Sequence, residues 1–275
     1  MKKMILGLAA CSCALAVAAP AYAQTRRGLE VGVEAFGYGY KEFDEGSLLI
    51  RDDGSLVGLH ISYVQPIAGG LFARAILTGA AGSIDYDPLD EPVVTDIEQR
   101  SGRFELQLGY DFMLRGGANI TPFTGLGHRL HEDLSGGIET VSGLQGYDRE
   151  LEYQYVPVGV AAGIPVGGRK RLTLSAQYNF IVGGQSTSRF SELDPEFEDL
   201  ALEFNGGHGV EASATLSLPV GRKHLINVGP FIRHWDLEDS ETLTIVNPDD
   251  PTEAVTFVEP ENRTTEVGLR VSFSF

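Results

Sequence analysis

Apolar and polar residues alternate with a period of two along much of the chain. The pattern is clearest in residues 264–275, which end the sequence. One face of that segment carries Thr265, Val267, Leu269, Val271, Phe273 and Phe275, and the other carries Thr264, Glu266, Gly268, Arg270, Ser272 and Ser274. Successive side chains of a β-strand point to opposite faces. The segment is therefore predicted to be a strand with lipid or core on one face and a wet or ion-paired space on the other.

The same alternation predicts ten strands. They cover residues 28–40, 55–67, 71–82, 102–114, 119–130, 151–163, 171–183, 206–218, 224–236 and 263–275. Glycine-rich turns at Gly69, Gly116, Gly167 and Gly221 recur about every 50 residues, which fits two membrane-spanning strands and one longer loop. We predict an all-β fold, a single antiparallel up-and-down transmembrane β-barrel of about ten strands, with eight or twelve strands as alternatives. An even number of strands places both termini at the periplasmic end.

The first 23 residues are predicted to be a cleaved signal peptide, which leaves residues 24–275 as the barrel. Lys2 and Lys3 precede an apolar stretch, and Ala21-Tyr22-Ala23 is a small-residue cleavage site. The alternative is a lipoprotein signal, because Leu8-Ala9-Ala10-Cys11 has the pattern of a lipobox. Both cysteines of the chain lie in this segment, so the mature chain would form no disulfide.

The net charge, the absence of a long apolar stretch and the loop composition exclude several classes of protein. The formal net charge is −17, which argues against nucleic acid as a partner because the two would repel each other. No later stretch reaches the ~20 apolar residues of a membrane helix. A membrane protein without spanning helices must be a closed barrel. The acidic loop that starts at Asp85 lacks the glycine that a calcium loop has at its sixth position, and the sequence predicts no metal and no cofactor.

In each predicted strand, the residues that alternate with the apolar, outward-facing ones point into the lumen, and many of them are charged. The predicted inward residues are the acids Glu30, Glu34, Glu105, Asp111, Glu211 and Glu266 and the arginines Arg74, Arg103, Arg129, Arg233 and Arg270, with His60 as a candidate sixth cation. Charges in a narrow interior must be paired, or they cost several kcal/mol each. The sequence thus predicts a lumen filled by ion pairs. Arg270 is expected near Glu30 or Glu34 if the last strand pairs with the first, and Arg74 is expected to pair with Glu105.

Candidate catalytic groups are few. His128 stands near His131, Glu132 and Asp133, and His234 stands near Asp236, Glu238 and Asp239. A histidine beside carboxylates can act as a general base. No motif of a known barrel enzyme surrounds either group, so the expectation is that the protein is not an enzyme.

The loops opposite the glycine-rich turns are acidic. They include Asp52, Asp85, Asp90, Glu91, Asp194, Asp249, Asp250 and Glu253. Such loops could bridge through divalent cations to lipopolysaccharide or bind a basic partner, but acidic loops also simply keep a surface soluble. Residues 194–204 are predicted either as a short helix that begins at Asp194, with Phe197, Leu200, Ala201 and Phe204 on one face, or as a strand extension.

Several segments resemble a family of small porin-like Gram-negative outer-membrane barrels of mostly unassigned function. They are Tyr155-Val156-Pro157-Val158-Gly159, Ala176-Gln177-Tyr178-Asn179-Phe180-Ile181-Val182-Gly183-Gly184, Gly229-Pro230-Phe231-Ile232-Arg233-His234-Trp235 and Glu259-Pro260-Glu261-Asn262. The resemblance implies a barrel in the outer membrane, and it carries over no catalytic or ligand-binding residue. Phe273 and Phe275 resemble the terminal signal by which such barrels are handed to the barrel-assembly machinery.

These observations together favour an outer-membrane protein with a structural or surface-interaction role and a filled lumen. Outer-membrane lipid and lipopolysaccharide are its expected surroundings. The alternatives are a narrow channel for ions or small solutes and a hydrolase at the outer rim. The oligomeric state is left open.

Overall fold

The computed structural model describes residues 27–89, 92–139, 143, 145–246 and 254–275. The predicted signal peptide lies outside these residues, as do the loop acids Asp90, Glu91, Asp249, Asp250 and Glu253. In the described part of the chain, no helix has the length and hydrophobicity needed to cross a membrane.

The described residues form fourteen strands and two short 3-10 turns. The strands are β1 (Gly28–Asp44), β2 (Ser47–Ala68), β3 (Leu71–Asp87), β4 (Val94–Tyr110), β5 (Phe112–Met113), β6 (Asn119–Leu134), β7 (Arg149–Pro165), β8 (Arg171–Ser188), β9 (Leu200–Phe204), β10 (Gly207–Val220), β11 (His224–Leu237), β12 (Leu243–Val246), β13 (Ala254–Phe257) and β14 (Glu261–Ser274). The turns are Arg115–Gly117 and Phe190–Glu192.

Ten long strands close into an antiparallel barrel, which confirms the predicted fold class. Their order around the ring is β1, β2, β3, β4, β6, β7, β8, β10, β11 and β14, and β14 pairs with β1 to close it. Strands β5 and β9 add short pairings to β6 and β8, while β12 and β13 form a separate hairpin in the last long loop. Both described ends of the chain lie at the end of the barrel that carries the short glycine-rich turns, which is the periplasmic end in barrels of this type.

The outer surface of the barrel is apolar because the alternating residues face away from the lumen. Val57, Leu126 and Leu269 are each at least 60% exposed, and they belong to a belt of aliphatic and aromatic side chains around the barrel. An outward apolar belt around a closed antiparallel sheet is the signature of a barrel embedded in lipid. On β11, Phe231 and Trp235 face inward, as the parity of that strand predicts.

The predicted strand boundaries are too short at the end of the barrel opposite the termini. Strand β2 begins at Ser47 rather than at residue 55, and β3 runs to Asp87 rather than to residue 82. Strand β4 was predicted over residues 102–114 but covers Val94–Tyr110, and β5 is separate from it. The extensions carry polar residues on both faces, because they rise beyond the apolar belt, and they therefore lack the alternation that marks the membrane-embedded parts.

The helix that was one alternative for residues 194–204 is wrong. The residues from Leu200 to Phe204 form β9, which pairs with the outer end of β8. Leu200, Leu202 and Phe204 are buried whereas Phe197 is 56% exposed, so the buried positions repeat every two residues rather than every three or four. The strand-extension alternative describes this segment correctly.

Aromatic rings lie over glycines of neighbouring strands inside the barrel. The Trp235 ring covers Gly209, the Tyr155 ring covers Gly127 and the Phe123 ring covers Gly159, so that a Cβ atom at any of these glycines would overlap the ring. Covering a glycine with a cross-strand aromatic residue lets a large ring lie flat against the sheet. These rings therefore lie close to the inner wall of the barrel.

Candidate functional site

The centre of the lumen is occupied by six charged residues, which we call the central network. Its members are Glu34, Arg103, Arg129, Glu211, Arg233 and Glu266. Arg233 lies in the middle, with its Nη2 atom 3.0 Å from Glu34 Oε2 and its Nη1 atom 2.8 Å from Glu266 Oε2. Its Nε atom is 3.6 Å from Glu211 Oε2. Each of these carboxylates is placed by an inward position of its own strand, β1, β14 or β10.

The central network crosses the lumen from wall to wall. Arg129 Nη2 donates to Glu266 Oε1 over 2.6 Å. Arg129 is on β6, the fifth strand of the ring, and Glu266 is on β14, the tenth strand, so the two strands lie on opposite sides of the barrel. Arg103 on β4 reaches Glu211 on β10 in the same way. Ion pairs between opposite walls occupy the axis of the barrel at this level.

Further hydrogen bonds and a cation–π contact surround the ion pairs of the central network. Glu105 lies 3.3 Å from Arg103 Nη1 and accepts a hydrogen bond from the Tyr155 hydroxyl at 2.7 Å. The amide of Gln107 also donates to Glu105, at 2.5 Å. The Arg129 guanidinium lies 4.8 Å from the centre of the Trp235 ring, a cation–π contact. A buried charge is tolerated when its attraction to a partner and further hydrogen bonds offset its desolvation, which is the arrangement found here.

A second set of ion pairs crosses the lumen closer to the outer mouth. Arg149 Nη2 lies 2.7 Å from Glu42 Oε1 and 2.5 Å from Glu259 Oε1. Arg149 is on β7 and Glu42 on β1, the sixth and first strands of the ring, so this pair also joins opposite walls. The Tyr40 hydroxyl donates to Glu42, and the Ser186 hydroxyl donates to Glu259. We call this set the outer pair layer.

The outer pair layer lies outside the predicted strands, because the alternation predicts that β1 ends at residue 40 and that β7 begins at residue 151. Glu42 can be assigned to the lumen from the alternation of inward and outward residues along β1. Tyr38, Tyr40 and Glu42 continue the inward positions of Glu30 and Glu34 without interruption. Extending the alternation through the polar ends of the strands would have assigned Glu42 to the lumen.

The predicted pairing between the last and first strands is present. Arg270 and Glu34 are opposite each other in the β1–β14 ladder, and Arg270 Nη2 lies 2.9 Å from Glu34 Oε2. Glu30 of β1 accepts hydrogen bonds from Ser272 and Ser274 of β14, and it lies 3.9 Å from His60 Nε2. The seam of the barrel is therefore held by side chains in addition to the backbone ladder.

The predicted pairing of Arg74 with Glu105 is wrong. The ladder places Arg74 opposite Gln107, and Arg74 Nη1 lies 3.5 Å from Gln107 Oε1. Among the described residues, no carboxylate oxygen lies within 4.0 Å of the Arg74 guanidinium. Glu105 is opposite Ile76, two pairs further along the ladder, where Arg103 and Tyr155 bind it.

Asp111 follows the end of β4, and its carboxylate is buried beside β6. Its Oδ1 atom accepts hydrogen bonds from Asn119 Nδ2 at 3.0 Å and from Thr121 Oγ1 at 2.6 Å. Arg171 of β8 in turn donates to the Asn119 side chain. This group joins the end of β4 to β6 and reaches past β7 to β8, at the periplasmic end below the central network.

Comparison with known proteins agrees with this architecture. The model of the autotransporter β-domain family matches residues 23–232, which is more than half of the chain. The chain belongs to that family. The match confirms the expectation of an outer-membrane barrel family and places this β-domain in the outer membrane. No curated protein matches the sequence.

Two solved structures illustrate the similarity of this β-domain to other barrels. The outer-membrane protease OmpT from Escherichia coli aligns with a TM-score of 0.55 at 8% identity, covering 91% of this chain and 98% of OmpT. At that identity the likeness shows the fold alone. The translocator domain of the autotransporter NalP from Neisseria meningitidis aligns with a TM-score of 0.41 at 11% identity, covering 92% of this chain and 90% of that domain.

The histidines of this β-domain do not form the groups that the sequence suggested. His128 and His234 face the outside of the barrel, where His128 Nε2 lies 3.8 Å from Glu152 and His234 Nδ1 lies 2.8 Å from Thr265 Oγ1. His131 faces the lumen and is buried, and its Nε2 atom accepts a hydrogen bond from Arg129 Nε at 2.7 Å. His128 and His131, which the sequence placed in one candidate group, thus lie on opposite faces of the sheet, because they are an odd number of residues apart.

The last residues of the β-domain pack against its first strand. The Phe275 amide donates to the Leu29 carbonyl at 2.9 Å, and the rings of Phe273 and Phe275 are 5.0 Å apart on the outer surface. This placement leaves both rings accessible from outside the barrel. Their role as an assembly signal stays a prediction.

Replacing Arg270 tests the contribution of the seam. Arg270→Ala is expected to lower the free energy of unfolding by about 1 kcal/mol, because Glu34 loses one charged partner but keeps Arg233. Thermal unfolding of the folded barrel in micelles measures the change. The matched control is Arg263→Ala, an arginine on the outward face of the same strand with a 44% exposed side chain. Equal transition temperatures for wild type and both variants would contradict the seam pairing.

Proposed function

We propose that this β-domain is a closed outer-membrane barrel with a structural or surface-interaction role, and that its lumen admits no free diffusion of solutes. The observation that carries the proposal is the pairing of Arg129 with Glu266 across the axis of the barrel. The outer pair layer blocks the axis a second time, closer to the outer mouth. Ten strands are also close to the size at which side chains alone fill the interior of a barrel.

The proposal includes export and surroundings. The 23 N-terminal residues would direct export through a Sec-type pathway, and Phe273 and Phe275 would present the last strand to the barrel-assembly machinery. The apolar belt would contact outer-membrane lipid, and lipopolysaccharide would surround the acidic outer loops. Catalysis is not part of the proposal, since His128 and His234 face the outside of the barrel, where their ring nitrogens lie near Glu152 and Thr265.

Planar-bilayer conductance tests the proposal directly. The purified, folded barrel is expected to give no steady current above the membrane leak, because two layers of ion pairs occupy the axis. An open porin reconstituted in the same bilayer serves as the positive control. Arg100→Ala, which removes an outward arginine paired with Glu98, is the matched variant and is expected to leave the trace unchanged.

Steady currents of the size given by open porins would contradict the closed lumen and favour the alternative of a narrow channel. Insertion must be established independently, because an empty bilayer also carries no current. A heat-modifiability gel of the recovered proteoliposomes provides that check.

A further inference from the structure

A large polar chamber lies between the central network and the periplasmic end of the barrel. Its volume is about 640 Å³. Arg103, Glu211 and Arg233 of the central network form its inner end, and the turn residues Lys170 and Lys223 lie at its mouth. The chamber therefore opens towards the periplasm and ends blindly at the ion pairs. We call it the periplasmic chamber.

The charge of the periplasmic chamber is opposite to that of the whole protein. Among the described residues that line it, nine are Lys or Arg and three are Glu, whereas the chain as a whole has a net charge of −17. A concave, low-dielectric wall of one sign focuses the field into the cavity and raises the local concentration of oppositely charged solutes. The chamber is thus a region of positive potential within an acidic protein.

The acids that line the chamber are already bound. Glu211 lies within ion-pair distance of Arg103 and Arg233, Glu105 accepts from Tyr155, and Glu30 accepts from the two serines of β14. Glu105 and Glu211 therefore balance cations of the inner end, and nine cations against three acids leave the chamber with a net positive lining.

Among the described residues, no carboxylate lies within 4.0 Å of the terminal nitrogens of Lys170 and Lys223, at the mouth of the chamber. Arg74 donates to the side-chain oxygen of Gln107 at 3.5 Å, and the negative charges of Glu30, Asp111 and Glu105 also act on it. Arg169 donates to the carbonyl oxygens of Gly221 and Arg222 rather than to an acid. In addition, the Nε atom of Arg103 is buried and has no hydrogen-bond partner among the described residues, and the residue is 7% exposed.

Hydroxyl groups add neutral donors to the wall between these cations. Ser175, Ser213, Thr173 and Thr215 line the chamber on β8 and β10. Arginine guanidinium groups bind phosphate and carboxylate through paired hydrogen bonds, and hydroxyls complete such sites. A volume of about 640 Å³ falls in the range of sites for small ligands.

From this arrangement we propose that the periplasmic chamber binds a small, multiply charged anion that carries phosphate or carboxylate groups. Arg74 contacts the ligand from the wall, and Lys170 and Lys223 attract it at the mouth. This inference goes beyond the closed-barrel function, since binding from the periplasmic side requires no passage through the central network.

Isothermal titration of the full-length folded barrel, in micelles of an uncharged detergent, tests the proposal. Tripolyphosphate and citrate are the two probes, at ~50 mM NaCl so that screening stays weak. The wild type is expected to bind at least one of them, with affinity that falls as salt is added. Arg74→Gln is expected to weaken binding about tenfold, which corresponds to ~1.4 kcal/mol. Arg51→Gln, on the outer surface at the other end of the barrel, is the matched control and is expected to bind as the wild type does.

The outcomes separate clearly. Binding of tripolyphosphate alone identifies a phosphate site, and binding of citrate alone identifies a carboxylate site. Absence of heat with both probes, or equal weakening by Arg74→Gln and Arg51→Gln, would overturn the proposal. Lys223→Gln changes an exposed turn and carries the same expectation if Arg74→Gln does not fold. A conducting barrel would refute the closed lumen but would leave the titration result standing.

Discussion

Glu266→Ala is expected to lower the free energy of unfolding of the barrel by about 3–5 kcal/mol, the cost of breaking a buried ion pair by removing one partner. The Glu266 carboxylate binds Arg129 through Oε1 and Arg233 through Oε2, and all three side chains are at most 4% exposed. Its removal leaves two buried guanidinium groups close together without the carboxylate that they share. Urea unfolding in micelles, followed by the shift between the folded and unfolded bands on a gel, measures the change.

The control for this variant is Glu98→Ala. Glu98 also pairs with an arginine, at 2.7 Å, but both side chains are about half exposed on the outer surface. An exposed pair contributes roughly 0–1 kcal/mol, because water and salt screen it. If Glu266→Ala and Glu98→Ala shifted the urea midpoint equally, the buried ion pairs would stabilise the barrel no more than an exposed pair does. Glu266→Gln should fall between them, since it keeps the shape and loses the charge.

Gly209→Val is expected to destabilise the barrel by about 3 kcal/mol, at the upper end of the usual cost of overpacking a core. A Cβ atom on Gly209 would overlap the indole ring of Trp235. That ring is fully buried, with Tyr153 and Tyr155 at 5.4 and 5.0 Å between ring centres. The ring has no space into which it can move without displacing these neighbours and the guanidinium of Arg129.

Trp235 is the one tryptophan of the sequence, so its fluorescence reports on this site alone. Gly209→Val is expected to shift the emission of the folded barrel to longer wavelength as the ring leaves its packed position. Gly79→Val is the control, because a Cβ atom there meets no heavy atom within 4 Å. An unchanged spectrum and unchanged stability in Gly209→Val would show that the ring does not need this glycine.

Strand parity was sufficient to predict the face of most lumen residues. Glu34, Arg233, Glu266 and Arg270 were assigned to the interior from alternation alone, because in a barrel the outward face must be apolar. Pairing of the last strand with the first predicts Arg270 near Glu30 or Glu34, and in the structure it pairs with Glu34. These features depend on local pattern and on topology, and both can be read from the sequence.

Partners across the lumen could not be predicted in the same way. Arg129 and Glu266 are 137 residues apart, and their meeting depends on how far each strand is staggered against the next. Two ladder pairs separate Arg74 from Glu105, although the two residues lie on adjacent strands and both face inward. The cationic periplasmic chamber was missed for a related reason, since a count of lumen charges does not show at which depth each charge lies.

The central network also has a consequence for the order in which the protein is made. Its members come from β1, β4, β6, β10, β11 and β14, so no hairpin contains a complete set of partners. While the last strand is unpaired, Arg129 and Arg233 lack Glu266 and remain hydrated, and the unfinished sheet gains little from partial folding. A chain cut before its last strand lacks Glu266 and the seam, and we therefore expect proteases to digest it faster than the closed barrel.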